Sequence, residues 1–351
     1  MAPREADGPS ARGPGTSTSE HGRTVAVVGA SAGGVEALID LARGLPADLP
    51  LAVVVVLHVP SGSSSRLPEI LSRAGPLPAR RVEQGEVPRP GTIYVAPPDE
   101  HLVLSDSRLF LVDGPRENGF RPAIDPLFRS AAREVRSRAI GILLSGNLDD
   151  GVAGLLAIKS FGGATIVQEP TDALVSGMPE AALQAMRPDH VVPAPRIGRI
   201  LAQLATGNGA DPHDLVGDTT LVTDPVELPA HGVDLSCPDC GGALQEVRPG
   251  QFTRYRCRVG HAYSPLSLLE HAGTALETAL WAAVRSLEET ATIAGRLASR
   301  AKGSGATGAA KRFSERQEDA AQRADLIRQA IASLDTSSGA KTEDALGAPA
   351  D

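Results

Sequence analysis

The sequence predicts an α/β protein with a doubly wound, mostly parallel sheet and a small antiparallel hairpin, followed by a cysteine-containing module and an α-helical hairpin. Three observations lead to this prediction. Short apolar runs alternate with helical segments over residues 23–206, as they do in doubly wound folds. All three cysteines fall inside one short window after that region, and long segments with helical spacing follow them.

Length and composition exclude several functional classes. A chain of 351 residues with 42% hydrophobic residues can form one sizeable α/β domain and a smaller appendage. Its formal net charge of -8 argues against nonspecific binding to nucleic acid or to an anionic membrane as the main activity. No apolar run approaches the ~20 residues that cross a bilayer, and the N-terminus lacks a secretory pattern, so we expect a cytoplasmic protein without membrane insertion.

The elements are predicted in chain order from changes of pattern. Residues 1–22 are rich in Gly, Pro, Ser and charge, which predicts a disordered leader. The apolar run from Val25 to Val28 predicts a buried strand that turns at glycines into a helix over Val35 to Leu41, and Leu51 to Leu57 predicts a second strand. The later patterns predict a helix over 63–74, a strand over 91–96, a hairpin of 102–104 and 109–112, a helix over 126–135, a strand over 139–144, a helix over 152–161, strands over 164–167 and 190–192, and a helix over 179–185 between those two strands.

Three predicted strands end in residues of three chemical types, which are Ser31, His58, and Asp149 or Asp150. In an open α/β sheet, ligands bind outside the carboxyl ends of the strands, so these loops can converge. A hydroxyl, an imidazole and a carboxylate that meet there form an acyl-transfer triad, because the histidine takes the serine proton and the aspartate orients the histidine. The sequence therefore predicts a serine-based active site at this edge of the sheet.

Each of these residues also fits a non-catalytic role. The glycine-rich turn around Ser31 could bind a dinucleotide, although its spacing is G-x-x-x-G-G and not G-x-G-x-x-G, or Ser31 could be a helix N-cap. His58 could be an ordinary histidine at a strand end, and the aspartate pair could cap the helix that follows it. His101 and His190 are rival bases, although both are predicted at the wrong ends of their strands for this crevice.

Six motifs occur in order within residues 23–206. They are V-G-A-S-A-G-G, V-L-H-V-P, P-G-T-I-Y-V-A-P-P-D-E-H, F-R-P-A-I-D-P-L-F-R-S-A-A, L-S-G-N-L-D-D-G-V-A-G-L-L-A-I-K and V-S-G-M-P-E-A-A-L. With these motifs the region resembles the methylesterase domain of the chemotaxis protein-glutamate methylesterases, the CheB family. Several motifs in one order are more specific than any single motif.

The resemblance implies a triad of Ser31 as nucleophile, His58 as general base and acid, and Asp150 as the orienting acid. It implies hydrolysis of glutamate γ-methyl esters on a methylated chemoreceptor-like protein, with release of methanol and with deamidation of glutamine as a related activity. It also implies that catalysis needs no cofactor, and that a cognate methyltransferase is a further candidate partner. An acyl-enzyme needs oxyanion donors, for which the backbone at Ala32 and at Asn147 are candidates.

The chain departs from the family pattern in three respects. Ala32 follows the nucleophile where the family often has threonine, and Asn147-Leu148 stand where it often has Met-Gly. The family usually carries an N-terminal receiver domain, for which residues 1–22 are too short. We therefore expect no control by aspartyl phosphorylation within this chain.

The cysteine spacing indicates a metal site. Cys237 and Cys240 are followed by Cys257 and His261, which gives C-x2-C, a gap of 16 residues, and C-x3-H. Three thiolates and one imidazole fill the four positions of a tetrahedral zinc, so the spacing predicts a structural zinc ribbon; the alternative is a reduced, metal-free cluster. Four arginines belong to this module, and they face either solvent, a protein or nucleic acid: Arg248, Arg254, Arg256 and Arg258.

Two helical segments follow the cysteine module and predict a helical hairpin. In the second segment, apolar or small residues recur at steps of three and four: Ala310, Phe313, Gln317, Ala320, Ala324, Ile327, Ile331 and Leu334. This stripe serves packing within the hairpin, self-association of the chain, or docking on a helical partner. The predicted boundaries are a leader over 1–22, the esterase-like domain over 23–206, a linker over 207–234, a zinc ribbon over 235–264, the helical hairpin over 265–334 and a disordered tail over 335–351.

The sequence thus favours a serine esterase and leaves two alternatives. One is a non-catalytic signalling scaffold that retains an esterase-like fold. The other is a nucleic-acid-associated zinc-ribbon protein, which the acidic composition disfavours.

Overall fold

The computed structural model describes residues 25–63, 65–206, 230–250 and 252–344, and these residues form two compact units. The first unit contains the described residues of Met1–Val112, Ile124–Asn147 and Gly151–Val222, and the second contains those of Asp113–Ala123, Leu148–Asp150 and Thr223–Asp351. The predicted leader, most of the predicted linker and the end of the predicted tail lie outside the described residues.

The first unit is built on a parallel sheet. Its strands in chain order are β1 (Val25–Ala30), β2 (Ala52–Leu57), β3 (Ala79–Arg81), β4 (Ile93–Val95), β5 (His101–Ser105), β6 (Arg108–Val112), β7 (Ala139–Leu143), β8 (Ala164–Gln168) and β9 (His190–Val192). The order across the parallel sheet is β3-β4-β2-β1-β7-β8-β9, while β5 and β6 form a separate antiparallel hairpin. The mostly parallel α/β sheet with a small hairpin is therefore confirmed.

Helices accompany this sheet and bury its apolar strands. They are α1 (Gly34–Gly44), α2 (Leu67–Ala74), α3 (Ile124–Val135), α4 (Val152–Ser160), α5 (Gly177–Ala185) and α6 (Ala194–Thr206). Every residue of β1 and β2 is buried, as is typical of parallel strands covered on both faces. Leu38 and Leu41 of α1, together with Ile197 and Leu201 of α6, belong to the same core as these strands.

Three details of the first unit differ from the sequence-based expectation. The helix expected over 63–74 begins only at Leu67, because the Ser65 hydroxyl accepts a hydrogen bond from the Leu67 N–H and Pro68 follows in the first turn. The strand β3 was not predicted, since its sequence A-R-R is polar and lies at the sheet edge. The helix α6 was also not predicted, although its buried positions have helical spacing.

The second unit contains an antiparallel sheet and two long helices. Its strands are β10 (Ala230–Ser236), β11 (Ala243–Val247), β12 (Arg254–Cys257) and β13 (Ala262–Tyr263), and its helices are α7 (Pro265–Gly303) and α8 (Thr307–Asp344). The strands pair in sequence order. The first of them begins inside the expected linker, and α8 continues past residue 334 into the expected tail.

The two long helices pack together through small side chains. Ala294 and Ala298 of α7 are buried, as are Ala320 and Ala324 of α8. Alanines allow the two helices to approach closely, and the buried positions of α8 fall on the stripe expected from the sequence. No helix in the described part of the chain is both long enough and apolar enough to cross a membrane.

Candidate active site and metal centre

Ser31 and His58 lie side by side at one edge of the parallel sheet. Strands β1 and β2 pair with Ala30 opposite Leu57, so the next residue of each strand leaves the sheet at the same edge. The Ser31 Oγ lies 3.0 Å from the His58 Nδ1, and both residues are partly exposed. At this distance the imidazole can take the hydroxyl proton. The structure thus brings together two of the three residue types expected at the site.

Backbone hydrogen bonds continue past the strand ends and fix the nucleophile loop. The His58 N–H donates to the Ala30 carbonyl at 3.1 Å, and the Ser31 N–H donates to the Ser145 carbonyl at 2.9 Å. Gly33 precedes helix α1 with a φ of 69°, a left-handed conformation that favours glycine. Helix α1 starts three residues after Ser31, so the positive end of its dipole lies near the Ser31 loop.

Ala32 and Asn147 are the candidate oxyanion donors. Both residues are exposed, and among the described residues none accepts a hydrogen bond from either backbone N–H. The loop that carries Asn147 approaches the nucleophile at Gly146, where an added Cβ would lie 2.8 Å from the Ser31 Cβ. Unoccupied N–H groups on both loops beside a serine hydroxyl are the type of donor that stabilises an oxyanion.

A hydrogen-bond network around the buried Ser145 joins these loops, and it was not predicted from the sequence. The Ser145 Oγ donates to the Ala32 carbonyl at 2.8 Å and accepts from the Val175 N–H at 3.0 Å. The Ser145 N–H donates to the Gln168 Oε1 at 2.8 Å. Ser145 has no exposed surface, so these bonds replace solvent for its polar groups. The only sequence signal was a serine directly after the apolar run that became β7.

The rival histidines lie elsewhere in the first unit. His101 is the first residue of β5 and is 4% exposed, in the hairpin that is separate from the parallel sheet. His190 is the first residue of β9 and pairs with Ile166, which places it at the amino end of its strand. Neither histidine follows the carboxyl end of a parallel strand, as Ser31 and His58 do.

The two candidate acids belong to the second unit and have different partners there. Asp150 is 1% exposed, and its Oδ1 accepts a hydrogen bond from the Asn118 Nδ2 at 2.8 Å. The Asp149 Oδ1 accepts hydrogen bonds from the hydroxyls of Ser264 and Ser267 at 2.6 and 2.9 Å. Asp149 is therefore engaged at the start of α7, where the helix dipole favours a carboxylate. None of these three partners was expected from the sequence.

The four expected metal ligands form one cluster. The Cys237 Sγ and the Cys257 Sγ lie 3.6 and 3.5 Å from the His261 Nδ1, and the Cys240 Sγ lies 3.6 Å from the Cys257 Sγ. All four ligand atoms lie within 4.8 Å of one another, and the cysteines are not joined by a disulfide. A tetrahedral zinc with Zn–S distances of about 2.3 Å and a Zn–N distance of about 2.1 Å holds its ligand atoms about 3.6 to 3.8 Å apart. The cluster can therefore hold a metal ion of this size.

The surroundings of the cluster also fit a metal. The Asp239 Oδ2 accepts a 2.6 Å hydrogen bond from the Tyr263 hydroxyl and lies 3.9 Å from the His261 Nε2, which is beyond hydrogen-bond distance. A carboxylate at this distance acts on the imidazole through its charge. Burial raises the pKa of the Cys237 thiol to about 11. The pKa of Cys257 is lowered instead, because hydrogen bonds from the Cys240 thiol and from nearby backbone N–H groups outweigh the effect of burial.

The arginines of this module differ in exposure. Arg254, for which the sequence left solvent, a protein and nucleic acid open, is 3% exposed and forms an ion pair with Glu117 at 2.9 Å, so it faces protein. Arg248 pairs with Glu246 on the surface, and Arg258 is exposed. A buried, paired guanidinium cannot contact a nucleic-acid backbone, so the ribbon offers fewer basic groups than its sequence indicated.

Comparisons with known proteins match the first half of the chain. A CheB methylesterase family model matches residues 26–201. A protein-glutamate methylesterase/protein-glutamine glutaminase of Anaeromyxobacter dehalogenans is 40% identical over 180 residues, which cover 51% of this chain and 53% of that protein. A protein of the same name from Photorhabdus laumondii is 37% identical over 185 residues, with the same two coverages. The chain therefore spans about half the length of the curated relatives it matches.

A solved structure gives the same result. The crystal structure of the Thermotoga maritima CheB methylesterase catalytic domain is 33% identical and has a TM-score of 0.50. The match covers 52% of this chain and 99% of that one. A catalytic domain thus corresponds to about half of this chain.

Proposed function

The chain belongs to the CheB methylesterase family, and from this we propose that it is a serine esterase that hydrolyses glutamate γ-methyl esters on a chemoreceptor-like protein. The observation that carries the proposal is the 3.0 Å approach of the Ser31 Oγ to the His58 Nδ1. The curated relatives support the substrate class through their names.

The first half-reaction forms an acyl-enzyme. His58 accepts the Ser31 proton while the Ser31 Oγ attacks the γ-carbonyl carbon of the methyl ester. Negative charge then develops on the carbonyl oxygen, and the N–H groups of Ala32 and Asn147 are proposed to stabilise it. When the tetrahedral intermediate collapses, the C–O bond to the methoxy group breaks, and His58 returns the proton so that methanol leaves.

The second half-reaction regenerates the enzyme. His58 removes a proton from water, the resulting hydroxide attacks the acyl carbon, and the Ser31 oxygen leaves with the proton from His58. The product is the glutamate side chain. The same steps with a glutamine amide as substrate release ammonia in place of methanol, which is the deamidase activity named for the relatives.

We propose Asp150 as the acid of the triad and Asp149 as a structural residue. The assignment of Asp150 rests on its place in the family motif, directly before Gly151. The partners of the two residues support it. The hydroxyls of Ser264 and Ser267 donate to Asp149, whereas Asp150 accepts a hydrogen bond from the Asn118 amide, which favours the ionised form of the carboxylate.

The Cys237, Cys240, Cys257 and His261 cluster is proposed to bind zinc in a structural zinc ribbon. Four protein ligands leave no open position for a substrate or a water molecule, so the metal would supply folding energy and not chemistry. The chain's own residues then carry the whole reaction without a catalytic cofactor. The partners proposed are the methylated chemoreceptor-like substrate and a cognate methyltransferase that makes it.

Methanol release from methyl-labelled receptor membranes tests this function. The wild type, Ser31→Ala and Ser160→Ala are compared at equal concentration. Ser160 is the matched control, since within the described residues its hydroxyl bonds only to the Ala157 carbonyl of its own helix. We expect release from the wild type and from Ser160→Ala, and a loss of about 10³-fold or more in Ser31→Ala. Equal release by Ser31→Ala contradicts the mechanism, and no release by folded wild type means either that the substrate is wrong or that the chain is a non-catalytic signalling scaffold.

A further inference from the structure

The loop that carries Asp149 and Asp150 is bound by residues of the cysteine module and of α7. Asp149 accepts hydrogen bonds from Ser264 and Ser267, and Ser264 is the N-cap residue of α7. Asp150 accepts its hydrogen bond from Asn118. These contacts all lie within the second unit, and the region matched by the family model ends at residue 201. The family resemblance therefore provides no role for the module.

Asn118 connects Asp150 to the module through three hydrogen bonds. Its backbone N–H donates to the Ala262 carbonyl at 2.7 Å, its Oδ1 accepts from the Ser264 N–H at 2.9 Å, and its Nδ2 donates to the Asp150 Oδ1 at 2.8 Å. Asn118 is 1% exposed and has a φ of 51°, a conformation that asparagine adopts more readily than most residues. An asparagine amide is uncharged and offers both an acceptor and donors, so one side chain can bind both partners.

Other contacts hold the Asn118 loop against the module. Glu117, next to Asn118, forms the buried ion pair with Arg254 of β12. A Cβ added at Gly119 would lie 1.6 Å from the His271 Nε2, so glycine is required for the observed packing against α7. The ring of Phe120 meets the His271 ring edge to face, with 6.1 Å between centroids. The loop is thus bound on both sides of Asn118.

A short path of covalent and hydrogen bonds joins the loop to the metal cluster. Ala262, whose carbonyl accepts from Asn118, directly follows the proposed ligand His261. The His261 carbonyl accepts from the N–H of Cys257, which is a second proposed ligand. A metal that fixes Cys257 and His261 therefore also fixes the strand that binds Asn118.

We propose that Asn118 is a positioning residue for the triad acid, and that the metal-bearing module is required for full catalysis because it holds Asn118 against Asp150. The inference rests on the proposed role of Asp150. The Asn118 Nδ2–H group fixes the rotation of the Asp150 carboxylate and stabilises its charge, which is the form that orients a histidine. Loss of the metal loosens β13, and with it the orientation of the acid.

The first test is Asn118→Asp in the full-length protein. Aspartate has the same shape, tolerates a positive φ and keeps an oxygen for the Ser264 N–H, but it replaces the donor to Asp150 by a second carboxylate. We expect kcat for methanol release to fall by about 10- to 100-fold with KM unchanged. Thr274→Ala is the control on α7, because in the part of the chain that the structure describes the Thr274 hydroxyl bonds only to the Glu270 carbonyl of its own helix; it should keep the wild-type kcat.

The second test removes the metal from the wild type and from Asn118→Asp with a chelator, and the bound zinc is measured before and after. Chelation should lower the wild-type kcat by a similar factor, and added zinc should restore it. In Asn118→Asp, chelation should cause little further loss of kcat, because the contact between residue 118 and Asp150 is already broken.

Two controls accompany these tests. Circular dichroism checks that the α/β domain remains folded. Ser267→Ala, which removes one of the two hydroxyls that donate to Asp149, should give a smaller loss of kcat than Asn118→Asp.

A readout without a methyl ester separates this inference from the proposed function. The rate at which a fluorophosphonate labels Ser31 depends on the same serine and histidine but not on the identity of the substrate. If the wild type releases no methanol, the substrate assignment fails, while slower labelling in Asn118→Asp and after chelation still supports the positioning role. The positioning role is overturned if the labelling rate and kcat are both unchanged in metal-free wild type, or if both are unchanged in Asn118→Asp.

Discussion

Replacement of Gly146 by alanine tests how the loop after β7 sets the position of the nucleophile. The added Cβ would lie 2.2 Å from the Met178 Sδ and 2.8 Å from the Ser31 Cβ, whereas ordinary contacts begin at 3.4 Å. The methionine can move at its flexible end, but the Ser31 backbone or the loop must shift by about 0.6 Å. Since a misplacement of about 1 Å can cost about 10²-fold, we expect kcat to fall by at least about tenfold.

The assay measures kcat and KM for methanol release together with the midpoint of thermal unfolding. Overpacking should destabilise the protein by about 1–3 kcal/mol. The double variant Gly146→Ala/Met178→Ala removes the sulfur contact, so it should recover part of the stability without recovering kcat. Gly232→Ala, where an added Cβ meets nothing within 4 Å, is the steric control. Wild-type kcat in Gly146→Ala, or full recovery of kcat in the double variant, would refute the reasoning.

Three further predictions concern other parts of the chain. Ser145→Ala removes the hydroxyl that bonds to the Ala32 carbonyl and the Val175 N–H, which are not fully buried, so it should lower the free energy of unfolding by about 0.5–1.5 kcal/mol in denaturant titrations. The pKa of Asp189 is lowered because its hydrogen bonds with Lys159 and Thr165 outweigh burial. The stability that this carboxylate contributes is therefore present above its usual pKa of 3.8 and is lost as pH falls through the lower pKa of the folded state. Asp189→Asn should flatten the dependence of the free energy of unfolding on pH in that acidic range. Helix α7 exposes several large apolar side chains, among them Leu276, Trp281 and Ile293, so it should support self-association, which Trp281→Glu would weaken in sedimentation.

Each of these has a result that contradicts it. Wild-type stability in Ser145→Ala would mean that water replaces the hydroxyl and that the network is not needed. An unchanged acid profile in Asp189→Asn would assign the acid sensitivity to other carboxylates. A concentration-independent monomer in the wild type would remove the proposed role of the α7 surface.

The sequence predicted the α/β framework well because its strands are fully buried. A run of valines such as β2 is typical of a strand that is covered on both faces, and glycines mark the turn that follows β1. Polar elements were missed for the opposite reason. The edge strand β3, A-R-R, is defined only by its pairing with β4, so no local pattern reveals it.

The same distinction applies to the candidate site. Ser31 and His58 could be predicted since each directly follows an apolar strand, and parallel register places both at one edge. Ser145 and Gly146 could not, because their partners lie on other loops and neither residue type is unusual after a strand. The metal ligands were predictable because ligand spacing within a short ribbon is itself a local pattern.

The choice between Asp149 and Asp150 shows why local pattern is not enough. Both are acidic and both precede the same helix, so residue type and local pattern treat them alike, and only the family motif favours Asp150. They differ through Asn118 and through Ser264 and Ser267, whose positions in the chain are far from the pair. A carboxylate that already receives two hydroxyl hydrogen bonds at a helix N-terminus is stabilised where it is, and turning it toward another group would leave both hydroxyls without that acceptor. Asp149→Asn should therefore lower stability more than Asp150→Asn does, and Asp150→Asn should lower kcat more than Asp149→Asn does; the reverse order in both measurements would exchange the two assignments.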